Sequence, residues 1–130
     1  MKRYFILILA VLFTTAVCSC SKRFEESYEH LVLNTTSYSL KADGGNFQFM
    51  VYYNNAWTAE INEGTLTEHT IENPKAPDWI FISRDGASHQ DYLRVTYEPA
   101  IEQARTVYIT IRADNGEQAI ITLKQDERDN

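Results

Sequence analysis

Between Asn34 and Gln125, apolar and polar residues alternate in short runs separated by turn formers, the period of strands with one buried face. Phe47, Phe49, Val51 and Tyr53 form one such stripe, and Trp57, Ala59 and Ile61 form a second. Leu93, Val95 and Tyr97, then Val107, Ile109 and Ile111, and finally Ala119, Ile121 and Leu123 complete the set. No run of ten or more residues after position 20 keeps a helical period, so the pattern predicts an all-β sandwich or barrel. These stripes are the candidate core.

Turn chemistry sets the register. Gly44-Gly45, read as a two-residue hairpin loop, pairs Leu40 with Phe49 and Ala42 with Phe47. Asn115-Gly116 as a two-residue loop would set Ile111 opposite Ile120 and turn Ile121 and Leu123 outward. A three-residue loop, Asp114-Asn115-Gly116 with Gly116 left-handed, pairs Ile111 with Ala119 and Ile109 with Ile121, so burial selects it. Residues 62–77, with Gly64, Thr65, Pro74 and Pro77, read as a long loop at one end of the sandwich.

The same alternation points Met50, Tyr52, Tyr92, Arg94, Tyr108, Arg112 and Ile120 away from the core. Of these, Tyr52, Tyr92, Arg94 and Tyr108 carry the chemistry of a platform that stacks on and hydrogen-bonds a glycan, or of a contact for a protein partner. Tyrosine also suits solvent-facing strands with no ligand at all. A sandwich has two outer faces, and the pattern leaves open whether the four residues share one. Trp57 belongs with a core stripe. In Trp79-Ile-Phe-Ile82 either Trp79 and Phe81 or Ile80 and Ile82 face inward, with the core favoured for Trp79.

The first residues follow a different rule. Lys2 and Arg3 precede an apolar run from Tyr4 to Phe13, and small or β-branched residues lead on to Cys18-Ser19-Cys20. Charge, short apolar core and small residues in that order describe an export signal, and the run is too short to span a bilayer. Val17-Cys18-Ser19-Cys20 resembles the bacterial lipobox, which implies cleavage before Cys20 and lipid on that residue. Several acyl chains at about 0.8 kcal/mol per buried methylene make a stable anchor. The expected organisation is a signal peptide over 1–19, a tether over 20–33, a sandwich over 34–126 and a tail over 127–130.

Removing residues 1–19 from the 130 leaves 111, one domain's worth, and shifts the formal charge from −6 to −8 as Lys2 and Arg3 depart. Such an acidic domain lacks the basic footprint for nucleic acid. Cys20 is then the only cysteine, so no internal disulfide is expected. His30, His69 and His89 are isolated, with no partner at metal-ligand spacing, and no nucleophile, phosphate-loop or calcium-loop pattern occurs. The reading is non-catalytic, with no cofactor and no metal.

Several of these features together resemble one family. They are Gly44-Gly45, the strand through Phe49 and Val51, Asn54-Asn55-Ala56-Trp57-Thr58 and Asp78-Trp79-Ile80-Phe81-Ile82-Ser83. The Asp85-Gly86 turn, Leu93-Arg-Val-Thr-Tyr97, Arg105-Thr-Val-Tyr-Ile-Thr-Ile111 and Ile121-Thr-Leu-Lys-Gln125 continue the series. This set resembles the BACON domain (Bacteroidetes-associated carbohydrate-binding often N-terminal) over residues 34–126. Glu98-Pro99-Ala100-Ile101-Glu102 departs from the family, which often has an asparagine before the arginine, and the stretch before Trp79 is long. The resemblance implies an immunoglobulin-like antiparallel β-sandwich of seven to eight strands. It also implies a lipoprotein of a bacterial outer membrane, on the periplasmic or cell-surface side, that binds glycan or mucin-type glycoprotein. The alternative expectation is a structural or interaction subunit that docks on an outer-membrane protein.

Overall fold

A computed structural model describes residues 28–127. The signal peptide, Cys20 with its expected lipid, the first part of the tether and most of the tail lie outside the described residues. The described chain holds no helix. Its nine strands are β1 (Ser37–Leu40), β2 (Gly45–Val51), β3 (Trp57–Thr67), β4 (Thr70–Lys75), β5 (Ile80–Ile82), β6 (Gly86–Ala87), β7 (Asp91–Tyr97), β8 (Arg105–Ala113) and β9 (Gln118–Gln125). They form two sheets. The larger runs β1-β9-β8-β3-β4, with β6 beside the start of β3, and the smaller runs β2-β7-β5.

The alternating stripes become the two inner faces. Val51, Leu93, Val95, Val107, Ile109, Ile111, Ile121 and Leu123 are fully buried, with Trp57, Tyr53 and Ile80 among them. Burying both inner faces of a sandwich is what requires period-two strands. The β8–β9 hairpin has the predicted register, Ile111 opposite Ala119 and Ile109 opposite Ile121. Its turn closes through Gly116 N–H to the Ala113 carbonyl (3.1 Å), and Gly116 takes a φ of 92°, which only glycine adopts cheaply.

Several expectations are corrected. Gly44-Gly45 does not close a hairpin: β1 pairs parallel with β9, Ser37 against Thr122 through Leu40 against Gln125, while β2 pairs with β7 in the other sheet. The turn closed by Gly44 N–H on the Lys41 carbonyl (3.2 Å) instead carries the chain between layers. Tyr38 therefore meets Phe47 across the sandwich, ring centroids 4.8 Å apart, and does not lie beside it in a ladder. The β1–β9 contact also makes one pair of the sandwich parallel.

Residues 62–77 are not a loop. β3 continues to Thr67 and pairs with β4, Leu66 against Ile71 and Glu63 against Lys75, with a bulge between Glu63 and Thr65. Gly64 sits at that bulge, where a Cβ would lie 2.7 Å from the Glu72 carbonyl oxygen, so a side chain is excluded. Finally, Trp79 is buried as favoured, but Ile80 is buried beside it while Phe81 is 54% exposed. Trp79 precedes β5 and sits at a bend, so strand alternation does not govern it.

Residues 28–33 belonged to the stretch read as tether, yet they lie on the sandwich. Val32 and Tyr52 exchange backbone hydrogen bonds at 3.0 and 3.1 Å, and Leu31 and Leu33 pack against the core.

Candidate ligand-binding face

The smaller sheet turns one face outward, and its register decides which side chains meet there. On β7 the outward residues are Tyr92, Arg94 and Thr96. Met50 of β2 lies directly opposite Tyr92, and Gln48 opposite Arg94. On the other edge Phe81 of β5 lies opposite Thr96. Tyr52, one step beyond β2, continues the Met50 row and carries the ring of Tyr28 at 5.0 Å, tilted by 43°. Tyr52, Tyr92 and Arg94 thus share a face with Phe81 and Tyr28. From Tyr92 to Thr96 the strand covers about 13 Å, enough for more than one sugar ring.

Fixed backbone holds these groups in place. The Arg94 N–H donates to the Ser83 hydroxyl (3.0 Å), and the Ser83 N–H donates to the Arg94 carbonyl (2.9 Å), so β5 clamps β7 beside the guanidinium. Arg94 has no ion pair among the described residues, whereas Arg84 is held by Asp91 at 2.5 Å. Tyr92 is 49% exposed, its ring available over the sheet.

Tyr108 is not part of this face. It lies on β8, between Asn62 of β3 and Thr122 of β9, and so on the outside of the larger sheet. Alternation placed it outward, which holds, but sheet membership is a long-range property that the strand's own sequence does not carry. Neither tryptophan offers a stacking surface. Trp57 is buried with its indole N–H donating to the His89 carbonyl (2.8 Å). Trp79 is capped by the Arg105 guanidinium 3.7 Å above its ring, and its N–H donates to Glu63 (2.7 Å).

A concavity of about 180 Å³ lies on the opposite side, between the β3–β4 hairpin and the larger sheet. Arg112 and Ile120, two of the outward residues, line it together with Glu60 and Thr110. Phe81, Tyr28, Glu60 and Thr110 were missed from the sequence. The exposure of Phe81 depends on the bend at Trp79, and the burial of Thr110 on a hairpin hidden in an irregular stretch. Among the described residues, no cluster of three or more His, Cys, Asp or Glu side chains could hold a metal ion.

Three carboxylates, Glu60 exposed and Asp91 and Glu117 half-buried, are held below the ordinary carboxylate range. The Tyr92 backbone N–H and then Arg84 lower Asp91, the Asn62 amide and then Arg112 lower Glu60, and His30 lowers Glu117. A carboxyl depressed in the folded chain contributes stability above its unfolded value, about 4, and loses it as pH falls through the folded one. The thermal midpoint should therefore level off above about pH 5 and fall below about pH 4. Asp91→Asn should flatten that acid limb in a calorimetric pH series. An unchanged midpoint from pH 6 to pH 3 would contradict the assignment.

No protein-family model matches the sequence, and no curated protein matches it. Solved structures do resemble the fold. A Bacteroides ovatus GH5 xyloglucanase in complex with a XXXG heptasaccharide aligns at 17% identity and TM-score 0.61, over 76% of this chain and 19% of that one. A Bacteroides thetaiotaomicron protein solved by NMR aligns at 12% identity and TM-score 0.55, over 82% of this chain and 94% of that one. The Pseudomonas aeruginosa CupB2 chaperone aligns at 13% identity and TM-score 0.52, over 74% and 55%. This chain spans about a fifth of the xyloglucanase chain it matches. The class is plain: an immunoglobulin-like β-sandwich, the architecture that a class 5 fimbriae chaperone also uses. Two of its fold relatives come from Bacteroides.

Proposed function

We propose that this chain is a non-catalytic, BACON-like lipoprotein module, anchored through Cys20 at a bacterial outer membrane, that binds glycan on the outer face of its smaller sheet. The observation that carries the reading is the row of Tyr52, Tyr92 and Arg94 with Phe81, brought onto one face by the β2-β7-β5 register. Aromatic rings stack on the C–H faces of sugar rings, and a guanidinium without an acidic partner donates to hydroxyls or carboxylates. The lipobox-like Val17-Cys18-Ser19-Cys20 and the BACON resemblance support the compartment. A domain of the same fold occurs within a Bacteroides ovatus xyloglucanase, where it spans about a fifth of that chain.

The test is a glycan array with a mucin pull-down, using the full chain in a sugar-free detergent. Tyr92→Ala and Arg94→Ala should each weaken binding about tenfold or more, a loss of about 1.4 kcal/mol. Tyr108→Ala, on the opposite face, should leave it unchanged. No binding above an immunoglobulin-like control, or equal losses from Tyr92→Ala and Tyr108→Ala, would remove the reading. Crosslinking to one stoichiometric outer-membrane protein, independent of sugar, would put the docking-subunit function in its place.

A further inference from the structure

The β3–β4 hairpin does not extend the larger sheet outward. β3 pairs with β8 as far as Asn62 opposite Tyr108, then leaves at the Gly64 bulge, and the hairpin tip returns to Gln118 at the far end of the sheet. There the Gln118 side-chain amide donates to the His69 carbonyl at 3.0 Å. The hairpin thus forms a flap across the sheet's polar outer face. Thr110, an outward residue of β8, is only 3% exposed as a result. The only two non-glycine residues with positive φ among the described residues, Glu68 at 55° and Asn73 at 52°, are both in this flap. Glu68 sits in the turn between β3 and β4, and asparagine tolerates left-handed backbone at position 73.

A flap that served only as cover would pack tightly on an apolar sheet face. This one instead encloses about 180 Å³ with mixed walls. On the sheet side Arg112 reaches Glu60 at 3.1 Å, and Asn62 also hydrogen-bonds Glu60. That pairing leaves further guanidinium N–H groups and carboxylate lone pairs unused. Ile120 from the sheet, with Ile71 and Pro74 from the flap, gives apolar surface to the same space.

We propose that this pocket binds one neutral monosaccharide ring. A carboxylate and a guanidinium side by side present an acceptor and a donor to adjacent hydroxyls, and the apolar wall suits the ring's C–H face. Their charges cancel, which disfavours an anion or a cation. The volume falls below the roughly 300 Å³ where drug-sized ligand pockets begin, so it suits a single ring and excludes an oligosaccharide. One side-chain hydrogen bond at the flap tip lets the flap lift for entry. The site is on the opposite face from the tyrosine row and does not depend on the function proposed for that row.

The experiment is an amide-resolved NMR titration of the full chain in a sugar-free detergent micelle. The probes are glucose, galactose, mannose, xylose, fucose and N-acetylglucosamine, each raised to tens of millimolar. At least one sugar should shift the Thr110, Arg112, Gln118 and Ile71 amides along saturable curves and leave the Tyr92 and Arg94 amides in place. Arg112→Gln and Glu60→Gln, both at solvent-exposed positions of the rim, should each weaken that titration about tenfold, while Tyr92→Ala leaves it unchanged. Absence of saturable shifts at the pocket with every sugar overturns the proposal. So does a titration that survives both rim substitutions. Neither outcome touches the array result for the opposite face, and loss of array binding leaves the pocket titration standing.

Discussion

Trp57→Ala should lower the thermal midpoint by more than about 12 °C, the largest single effect expected in the chain. Trp57 opens β3, is 2% exposed and heads the largest fully buried side chains. Removing an indole from a packed core costs about 3–5 kcal/mol, through lost burial and the cavity left behind. Domains of this size have only about 5–15 kcal/mol in total, and each kcal/mol moves the midpoint by roughly 4–8 °C. The indole N–H also satisfies the His89 carbonyl, which ties the β6–β7 connection to the start of β3. Trp57→Phe should lose less, because it refills most of the volume and strands one acceptor near solvent. Circular dichroism melts of the three proteins give the ranking. A Trp57→Ala midpoint within a few degrees of the parent would mean that this end of the core is not packed as described.

The same substitution separates structure from recognition. Trp57 is one of two tryptophans, a residue type whose indole can stack on a sugar ring, yet its ring is inside. Below its own melting temperature Trp57→Ala should keep the glycan-array profile of the parent. Tyr92→Ala should do the reverse, losing the profile with little change in melting, because its ring is half exposed.

How much of this was legible in the sequence follows from the range of each interaction. Stripes such as Val107-Ile109-Ile111 need only alternation, and the β8–β9 register needs only that alternation plus a glycine at the left-handed turn position. Gly44-Gly45 misled because Tyr38 and Leu40 face Phe47 and Phe49 inward whether the two strands are ladder neighbours or lie in opposite layers. Local pattern cannot separate those cases. What decides is the partner β1 finds in β9, more than eighty residues away. The flap escaped for a related reason. Its strands lie against a polar sheet surface, so neither face carries an apolar stripe, and Gly64 and Pro74 made it resemble a loop. The outward tyrosines were legible one strand at a time, but their division between two faces was not. Tyr108 follows β8 into the larger sheet, while Tyr52 and Tyr92 stay with the smaller.

Arg105 and Gln125 stood out in the sequence through the family resemblance alone, and the structure supplies their reason. Arg105 opens β8 opposite Gln125 at the end of β9. Its Nε donates to the Gln125 side-chain oxygen at 2.7 Å, and a terminal guanidinium nitrogen donates to the Pro99 carbonyl at 2.8 Å. The guanidinium carbon lies 3.7 Å above the Trp79 ring, while the Gln125 amide donates to the Lys41 and Glu98 carbonyls at 2.9 and 3.0 Å. One pair of side chains therefore ties together both layer-crossing segments at this end of the sandwich. Arg105→Ala should cost about 2–4 kcal/mol: charged hydrogen bonds contribute about 1.5–3, the stacking about 0.5–2, and the buried Gln125 oxygen loses its donor. Arg105→Lys should recover little, since an ammonium lacks the planar fork that stacks and donates at once. Gln125→Glu should also destabilise, although it keeps an acceptor for Arg105. Its carboxylate faces two carbonyl oxygens where an amide donated, and like dipoles there repel. A double-mutant cycle between Arg105→Ala and Gln125→Ala, read from urea unfolding, should show coupling of about 1–2 kcal/mol. Additive losses, or an Arg105→Ala midpoint unchanged within about 2 °C, would mean the two residues are independent surface contacts and that core packing alone closes this end of the fold.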